Sequence, residues 1–328
     1  MKLAILGAGA WGSALAIALA PRHAVSLWVW DPQQLAELKA SRRSHFLPDF
    51  SVPSPVQFHS GVAAALSQAE LALVVAPTQG LRQTLKEIRA SAKNIPVILA
   101  CKGFEPGSPH LPHQVAAQEL ESGVPIAILS GPSFAQEVAQ GLPAALTLAS
   151  STGGFVQSAA RELHSPKLRI YSSADVMGVA IGGAVKNVMA IAAGICDGLG
   201  LGHNARAALI TRGLAEITRL GLKLGGKPET FMGLAGAGDL VLTCTGDLSR
   251  NRQVGMLLAA GKSLPAILAE LGHVAEGVTS TREVLQLANK MKVEMPITRA
   301  VNQVLYENIP AKSALQELLS RDPKAETY

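Results

Sequence analysis

Charge and aromatic rings are both scarce in this chain: charged residues make up 16% and aromatics 4% of its 328 residues. Typical domains carry about 25% charge, and a hydrophobic share of 48% excludes a disordered chain. Cysteine is scarce as well. Cys101, Cys196 and Cys244 stand at no metal-like or redox spacing, and an odd number argues against a disulfide framework. No metal is expected, and a reducing cytoplasm is the expected setting. Basic residues are scattered, with Arg42-Arg43 the one adjacent pair, so the net charge of +5 forms no stripe for nucleic acid. The most apolar stretch, Val176 to Cys196, is broken in its middle by Lys186-Asn187, and no membrane span is expected. Residues 1 to 20 end in Ala18-Leu19-Ala20 like a secretory signal, yet three spaced glycines and a lone Lys2 read instead as strand, turn and helix.

What the chain does have is length and alternation. At 328 residues it exceeds the roughly 250–300 residues that one core supports, so two domains are expected. Short apolar runs at Lys2 to Leu6, Val25 to Trp30, Leu71 to Ala76, Pro96 to Cys101, Pro125 to Ser130 and Ala144 to Ala149 read as strands buried on both faces. Helical segments such as Ser13 to Ala20, Leu81 to Ala90 and Leu111 to Glu121 lie between them. That order predicts an α/β fold: a doubly wound, mainly parallel sheet covered on both sides. After about Asp175 the strand signal ends. Asn204 to Gly221 repeats apolar residues at helical spacing behind Asn204 as N-cap, and helices follow over Arg252 to Ala260, Leu264 to Leu271, Thr281 to Met291, Thr298 to Tyr306 and Ser313 to Leu319. Ser280 and Glu283 stand at capping-box spacing. The expected division is residues 1–178, binding a nucleotide, and an all-helical 179–328, binding substrate, with a cleft between.

Gly7-Ala8-Gly9-Ala10-Trp11-Gly12 follows the first strand and opens a helix. In a dinucleotide fingerprint the first Gly makes the tight turn, the second lets a pyrophosphate approach the backbone, and the third lets helix and strand pack closely. Free N–H groups and the positive dipole end then face the phosphates. Asp31 stands 19 residues after Gly12, where it can accept from a ribose 2′-OH, or else start the turn before Pro32. Trp30 and Asp31 are therefore placed at the nucleotide. A second glycine pattern, Gly233 to Asp239, reads as a tight turn that places Asp239.

Lys186 is the candidate for chemistry. An ammonium in so apolar a segment must snorkel, pair or work; desolvation would lower its pKa toward that of a proton donor, and Asp239 is a partner that could hold it. Asn187 is placed beside it at the substrate. Ser249-Arg250-Asn251 combines a capping Ser with groups that suit a phosphate or carboxylate. Lys102 follows a strand of the parallel sheet, at the edge where ligands bind in such folds.

Taken in order, Gly7 to Gly12, Cys101 to Glu105, Ser130 to Ala135, Gly183 to Asn187, Asn204 to Arg206, Gly236 to Leu240, Ser249 to Asn251 and Ala275 to Gly277 make the chain similar to bacterial-type NAD(P)-dependent glycerol-3-phosphate dehydrogenases over nearly its whole length. The resemblance implies a Rossmann-type domain and a reaction between dihydroxyacetone phosphate and sn-glycerol 3-phosphate with NAD(H) or NADP(H), supplying phospholipid synthesis. It implies Lys186 as general acid/base; Lys102, Gly131, Ser133, Asp239, Ser249, Arg250 and Asn251 at the substrate; and Trp11, Lys102, Ala135, Arg250, Val274 and Glu276 at the nucleotide. A homodimer is also expected. Where the family often has Arg or His after the second strand, this chain has Trp30 and Asp31, which points to use of NAD. The competing readings are a reductase of another small oxo acid such as ketopantoate, and a non-catalytic NAD(H)-binding redox sensor.

Overall fold

The computed structural model describes residues 1–91, 94–271 and 275–320. Its first half runs β1 (Lys2–Leu6), α1 (Ala10–Leu19), β2 (Ala24–Trp28), α2 (Pro32–Ser41), β3 (Arg43–Ser44), β4 (Leu47–Ser51), β5 (Gln57–His59), α3 (Val62–Leu66), β6 (Leu71–Val74), α4 (Thr78–Ala90) and β7 (Val97–Leu99). It continues through α5 (Pro112–Glu119), β8 (Ile126–Ser130), α6 (Ala135–Gln140), β9 (Ala144–Ala149), α7 (Gly153–Leu163) and β10 (Leu168–Ser173). The second half is helical: α8 (Val176–Gly198), α9 (Gly202–Lys223), α10 (Pro228–Met232), a π-helical turn (Leu234–Gly238), α11 (Asp239–Thr245), α12 (Arg250–Ala259), α13 (Leu264–Leu271), α14 (Glu276–Met291), α15 (Pro296–Tyr306) and α16 (Ala311–Leu319).

Eight strands form one sheet in the order β10-β9-β8-β7-β6-β1-β2-β5, and only the β8–β9 pairing is antiparallel. Side chains alternate across a strand, so Leu3 and Ile5 enter the apolar cluster on one face while Ala4 and Leu6 enter that on the other. Leu71–Val74 and Val97–Leu99 are buried at every position, as helices on both faces require. The strands absent from the sequence reading lie at the margins. β5 and β10 are the sheet's two edges, with polar outward residues, and β3–β4 is a separate two-stranded hairpin.

The helical half is built around α8, whose residues Gly178 to Cys196 are all buried. Lys186-Asn187 interrupts the apolar run but not the helix, because both side chains find polar partners inside the protein. By length and composition α8 could cross a membrane, but here it is enclosed by its neighbours. Its small residues admit close crossings; a Cβ on Gly194 would collide with the Arg252 carbonyl oxygen, and one on Gly255 with that of Ile191.

Three local expectations are corrected. α9 begins at Gly202, two residues before Asn204, because Gly200 and Gly202 at positive φ turn the chain sharply out of α8. α14 begins at Glu276, which leaves Ser280 and Glu283 inside the helix; its N-terminus is capped from α12, where Asn251 Oδ1 accepts from the Gly277 amide at 2.9 Å. The Gly233 to Asp239 segment is a π-helical turn rather than a tight turn, and it still delivers Asp239 at the head of α11. Residue 178 falls in the first turn of α8.

Candidate functional site

The glycine loop has the three properties that its spacing predicts. Gly7 sits at φ +123, a region that favours glycine. A Cβ on Gly12 would collide with the Gly7 carbonyl oxygen, so the third glycine lets helix and turn meet. A Cβ on Gly9 would meet nothing within 4 Å, which leaves the backbone open to a ligand. α1 has no side-chain cap at Gly9, so its first amides are unsatisfied donors. Two residues outside the motif support it: Ser13 Oγ (3.2 Å) and Gln34 Nε2 (2.6 Å) donate to the Ala8 carbonyl and fix the loop from beneath. Ala10, Trp11 and Ala135 pack in one apolar cluster beside this loop. The residues present therefore fit a dinucleotide.

At the end of β2, Trp30 is 80% exposed. Asp31 caps α2 by accepting from the Gln33 amide at 2.9 Å, with Pro32 in the first turn. The turn role is thus filled by one carboxylate oxygen, and the second remains available to a hydroxyl. Val274 lies outside the described residues.

The chemistry assembles around one buried carboxylate. The π-helical turn ends at Gly238, and Asp239, the next residue, is 1% exposed. Its Oδ1 accepts from Lys186 Nζ and its Oδ2 from Lys102 Nζ at 2.7 Å, so a single aspartate joins the lysine of α8 to the lysine that follows β7. Thr243, one turn along α11, accepts from Lys186 Nζ at 2.9 Å and donates to the Asp239 carbonyl at 2.6 Å. Lys186 cannot snorkel, being 6% exposed. Burial pushes its pKa down to about 8 against the pull of Asp239, and Lys102 pushes the same way. Burial alone would raise the Asp239 carboxyl, but Lys102 and Lys186 outweigh it and hold that group below its ordinary value.

Lys102 Nζ also donates to the Gly131 carbonyl at 3.1 Å, and Ser133 Oγ donates to the same oxygen at 3.0 Å. Gly131 has φ +138, and a Cβ there would stand 3.1 Å from the Ala145 carbonyl oxygen, so the turn after β8 needs glycine. On the far side, Asn187 Nδ2 donates to Glu276 Oε2 at 3.2 Å. Burial raises the Glu276 pKa, and Arg250, Lys102 and Lys186 oppose it, which places three cations around that carboxyl.

Ser249 caps α12 by accepting from the Arg252 amide at 3.3 Å. Asn251 is buried with its oxygen committed to Gly277, so its amide N–H₂ group points its donors elsewhere. Arg252 is buried in ion pairs with Asp197 (2.8 Å) and Asp247 (2.9 Å), while its neighbour Arg250 is exposed and makes no ion pair among the described residues. One arginine anchors the helix and the other stays exposed. Lys102, Gly131, Ser133, Lys186 and Asp239 thus form one connected group, bordered by Asn187, Glu276, Asn251 and Arg250. Gln34, Ser13 and Thr243 were not singled out from the sequence, since an isolated hydroxyl or amide on a helix carries no signal of its own.

Two family models match the chain: the NAD-dependent glycerol-3-phosphate dehydrogenase N-terminus over residues 2–155 and its C-terminus over residues 175–316. A glycerol-3-phosphate dehydrogenase [NAD(P)+] from Nitrosospira multiformis is 59% identical over 333 residues, covering 100% of both chains. The crystal structure of glycerol-3-phosphate dehydrogenase from Coxiella burnetii is similar with a TM-score of 0.94 and 41% identity, covering 98% of this chain and 99% of that one. A ketopantoate reductase family structure from Ralstonia eutropha shares the fold alone, at a TM-score of 0.60 and 16% identity over 96% of this chain and 100% of that one.

Proposed function

From the premise that this chain belongs to the NAD-dependent glycerol-3-phosphate dehydrogenase family, we propose that it interconverts dihydroxyacetone phosphate and sn-glycerol 3-phosphate, with its residues dividing the work as follows. Gly7, Gly9 and Gly12 admit the nucleotide pyrophosphate to the amides of Ala10 and Trp11, and Trp30, Asp31 and Ala135 line its course. The bound nicotinamide supplies or accepts the hydride.

The observation that carries the reading is the Lys102–Asp239–Lys186 group beside a helix N-terminus that bears Arg250 and Asn251. In the reductive direction Lys186 protonates the alkoxide that develops on the ketone oxygen, with Asp239 and Thr243 holding Nζ in place. Lys102 sits across Asp239, where it orients the ketone and its hydroxymethyl group beside Gly131 and Ser133. The substrate phosphate is bound by Arg250, by the Asn251 N–H₂ group and by the opening amides of α12, through charge-assisted hydrogen bonds. Because Asn251 spends its oxygen on Gly277, its orientation toward an anion is fixed before substrate arrives.

This division assigns residues 1–178 to the nucleotide and 179–328 to the substrate; the two family models place their break between residues 155 and 175, and α8, the first helix of the helical half, begins at Val176. A cytoplasmic homodimer that feeds phospholipid synthesis completes the proposal, on the strength of the resemblance. The test is oxidation of NADH and of NADPH with dihydroxyacetone phosphate, wild type beside Lys186→Ala. Turnover by wild type and a loss of about 10²–10⁴ in the variant, the usual worth of a positioned proton donor, are expected. Turnover that survives the substitution would move the proton donor elsewhere, and no turnover by wild type would remove the substrate assignment.

A further inference from the structure

Lys102 belongs by chain order to the nucleotide-binding half, because it follows β7 directly. The segment it opens, residues 102 to 111, is nevertheless anchored in the other half. Phe104 and Leu111, each 1% exposed, are members of the apolar core that α8 organises. α14 turns one stripe of side chains toward this segment: Glu276, Ser280 and Glu283, spaced by four and three residues, share a face. Glu276 lies among the site's cations. Ser280 Oγ stands 2.8 Å from the point where a Cβ on Gly103 would be, and Gly103 has φ +119, so the chain beside Lys102 passes hard against α14. Glu283 Oε1 accepts from the Gly107 amide at 3.0 Å. Glu283 is 7% exposed, and among the described residues its Oε2 accepts no hydrogen bond. Burying a carboxylate costs free energy that its charge-assisted hydrogen bond to the Gly107 amide offsets only in part, so the contact is specific to that amide.

We propose that Glu283 is a positioning residue, which latches the Lys102-bearing segment onto α14 and so holds Lys102 at its bond to Asp239 and at its distance from Lys186. On the nucleotide side the segment is tied at Glu105 by Arg82, on α4. Along the chain that link lies between Lys102 and Gly107, and Lys102 itself also donates to the Gly131 carbonyl of the nucleotide half. The inference rests on the assignment of Lys102 to the substrate.

Two variants separate reach from charge. Glu283→Gln keeps an oxygen at the right distance for the Gly107 amide, whereas Glu283→Asp keeps the charge and loses the reach. The readouts are kcat and KM for dihydroxyacetone phosphate, the Kd for NADH, and amide hydrogen exchange over residues 103 to 111 in the enzyme without substrate. Glu283→Asp is expected to raise KM at least fivefold and to speed exchange at least tenfold, with the NADH Kd within twofold of wild type. Glu283→Gln is expected to stay within twofold on every measure. Equal behaviour of the two variants, or wild-type exchange in Glu283→Asp, would overturn the latch. Should Glu283→Asp not fold, a tenfold loss in a folded Glu283→Gln would overturn it equally well. The exchange measurement needs no turnover, so a wild type inactive on dihydroxyacetone phosphate would count against the substrate assignment while the latch is still judged.

Discussion

At Lys186, burial and a neighbouring carboxylate act in opposite directions. Burial wins in part and brings the ammonium down to about 8, close enough to neutrality for one group to donate a proton in reduction and to accept one in oxidation. The reductive kcat/KM is therefore expected to fall as pH rises through about 8, where the donor is lost, and the oxidative kcat/KM to rise over the same window. Profiles that move in the same direction in both reactions would contradict this role. Trp30 gives a second prediction. Trp30, an exposed indole, and the Asp31 carboxylate put no cation in the two positions where β2 ends, so kcat/KM with NADPH should be less than tenfold above that with NADH. Lys186 was legible in the sequence because a lysine within an apolar run demands a reason. Thr243 was not, because a threonine on a helix facing a partner 57 residues away looks like any other until the helices cross.

Among the elements, helix ends are where distant side chains intervene. α15 is capped by Glu216 of α9, whose oxygens accept from the Ile297 amide (2.6 Å), the Thr298 amide (3.3 Å) and the Thr298 hydroxyl (3.2 Å). Burial outweighs these bonds and pushes the Glu216 carboxyl from its ordinary 4.5 up to about 7. The folded state thus holds the extra proton between those values, and stability falls as pH rises across them, by about 3 kcal/mol at pH 8. Glu216→Gln should abolish that dependence, so urea unfolding at pH 5 and pH 8 should show wild type losing ground against the variant; parallel curves would refute it. The α8–α12 crossing makes a separate prediction. Gly255→Ala forces a Cβ onto the Ile191 carbonyl, which should cost about 1–3 kcal/mol and raise the substrate KM, because α12 carries Arg250 and Asn251. The central strands were legible as continuous apolar runs, whereas β5 and β10, exposed on one side at the sheet margins, have too few apolar positions to announce themselves. α14 starts where Asn251 reaches it, so its first residue follows from a contact with α12 and not from its own capping signal.

For the molecule as a whole, two halves of different architecture share apolar surface. Phe104, Leu111, Ile128 and Ala149 of the first half lie in the core of the second. Phe104 is 1% exposed, so Phe104→Ala should cost about 3–5 kcal/mol and loosen the coupling between the halves. Calorimetry of the wild type is expected to show one transition, and that of the variant two. A single transition at nearly unchanged temperature would show that the shared core does not couple them.

The sequence by itself determined the class of the fold, the glycine loop and the lysine in the apolar helix. Each depends on residues close together in the chain, where a period of two, a period of 3.6 or a missing Cβ acts directly on the backbone. Only the tertiary structure decided which oxygen of Asp239 meets which lysine, which of Arg250 and Arg252 is held in ion pairs, and that Glu283 of α14 meets the Gly107 amide. Those outcomes depend on helices from distant parts of the chain crossing closely enough for a few buried polar atoms to satisfy one another. No local pattern encodes such a geometry, because its energy comes from removing the same groups from water together.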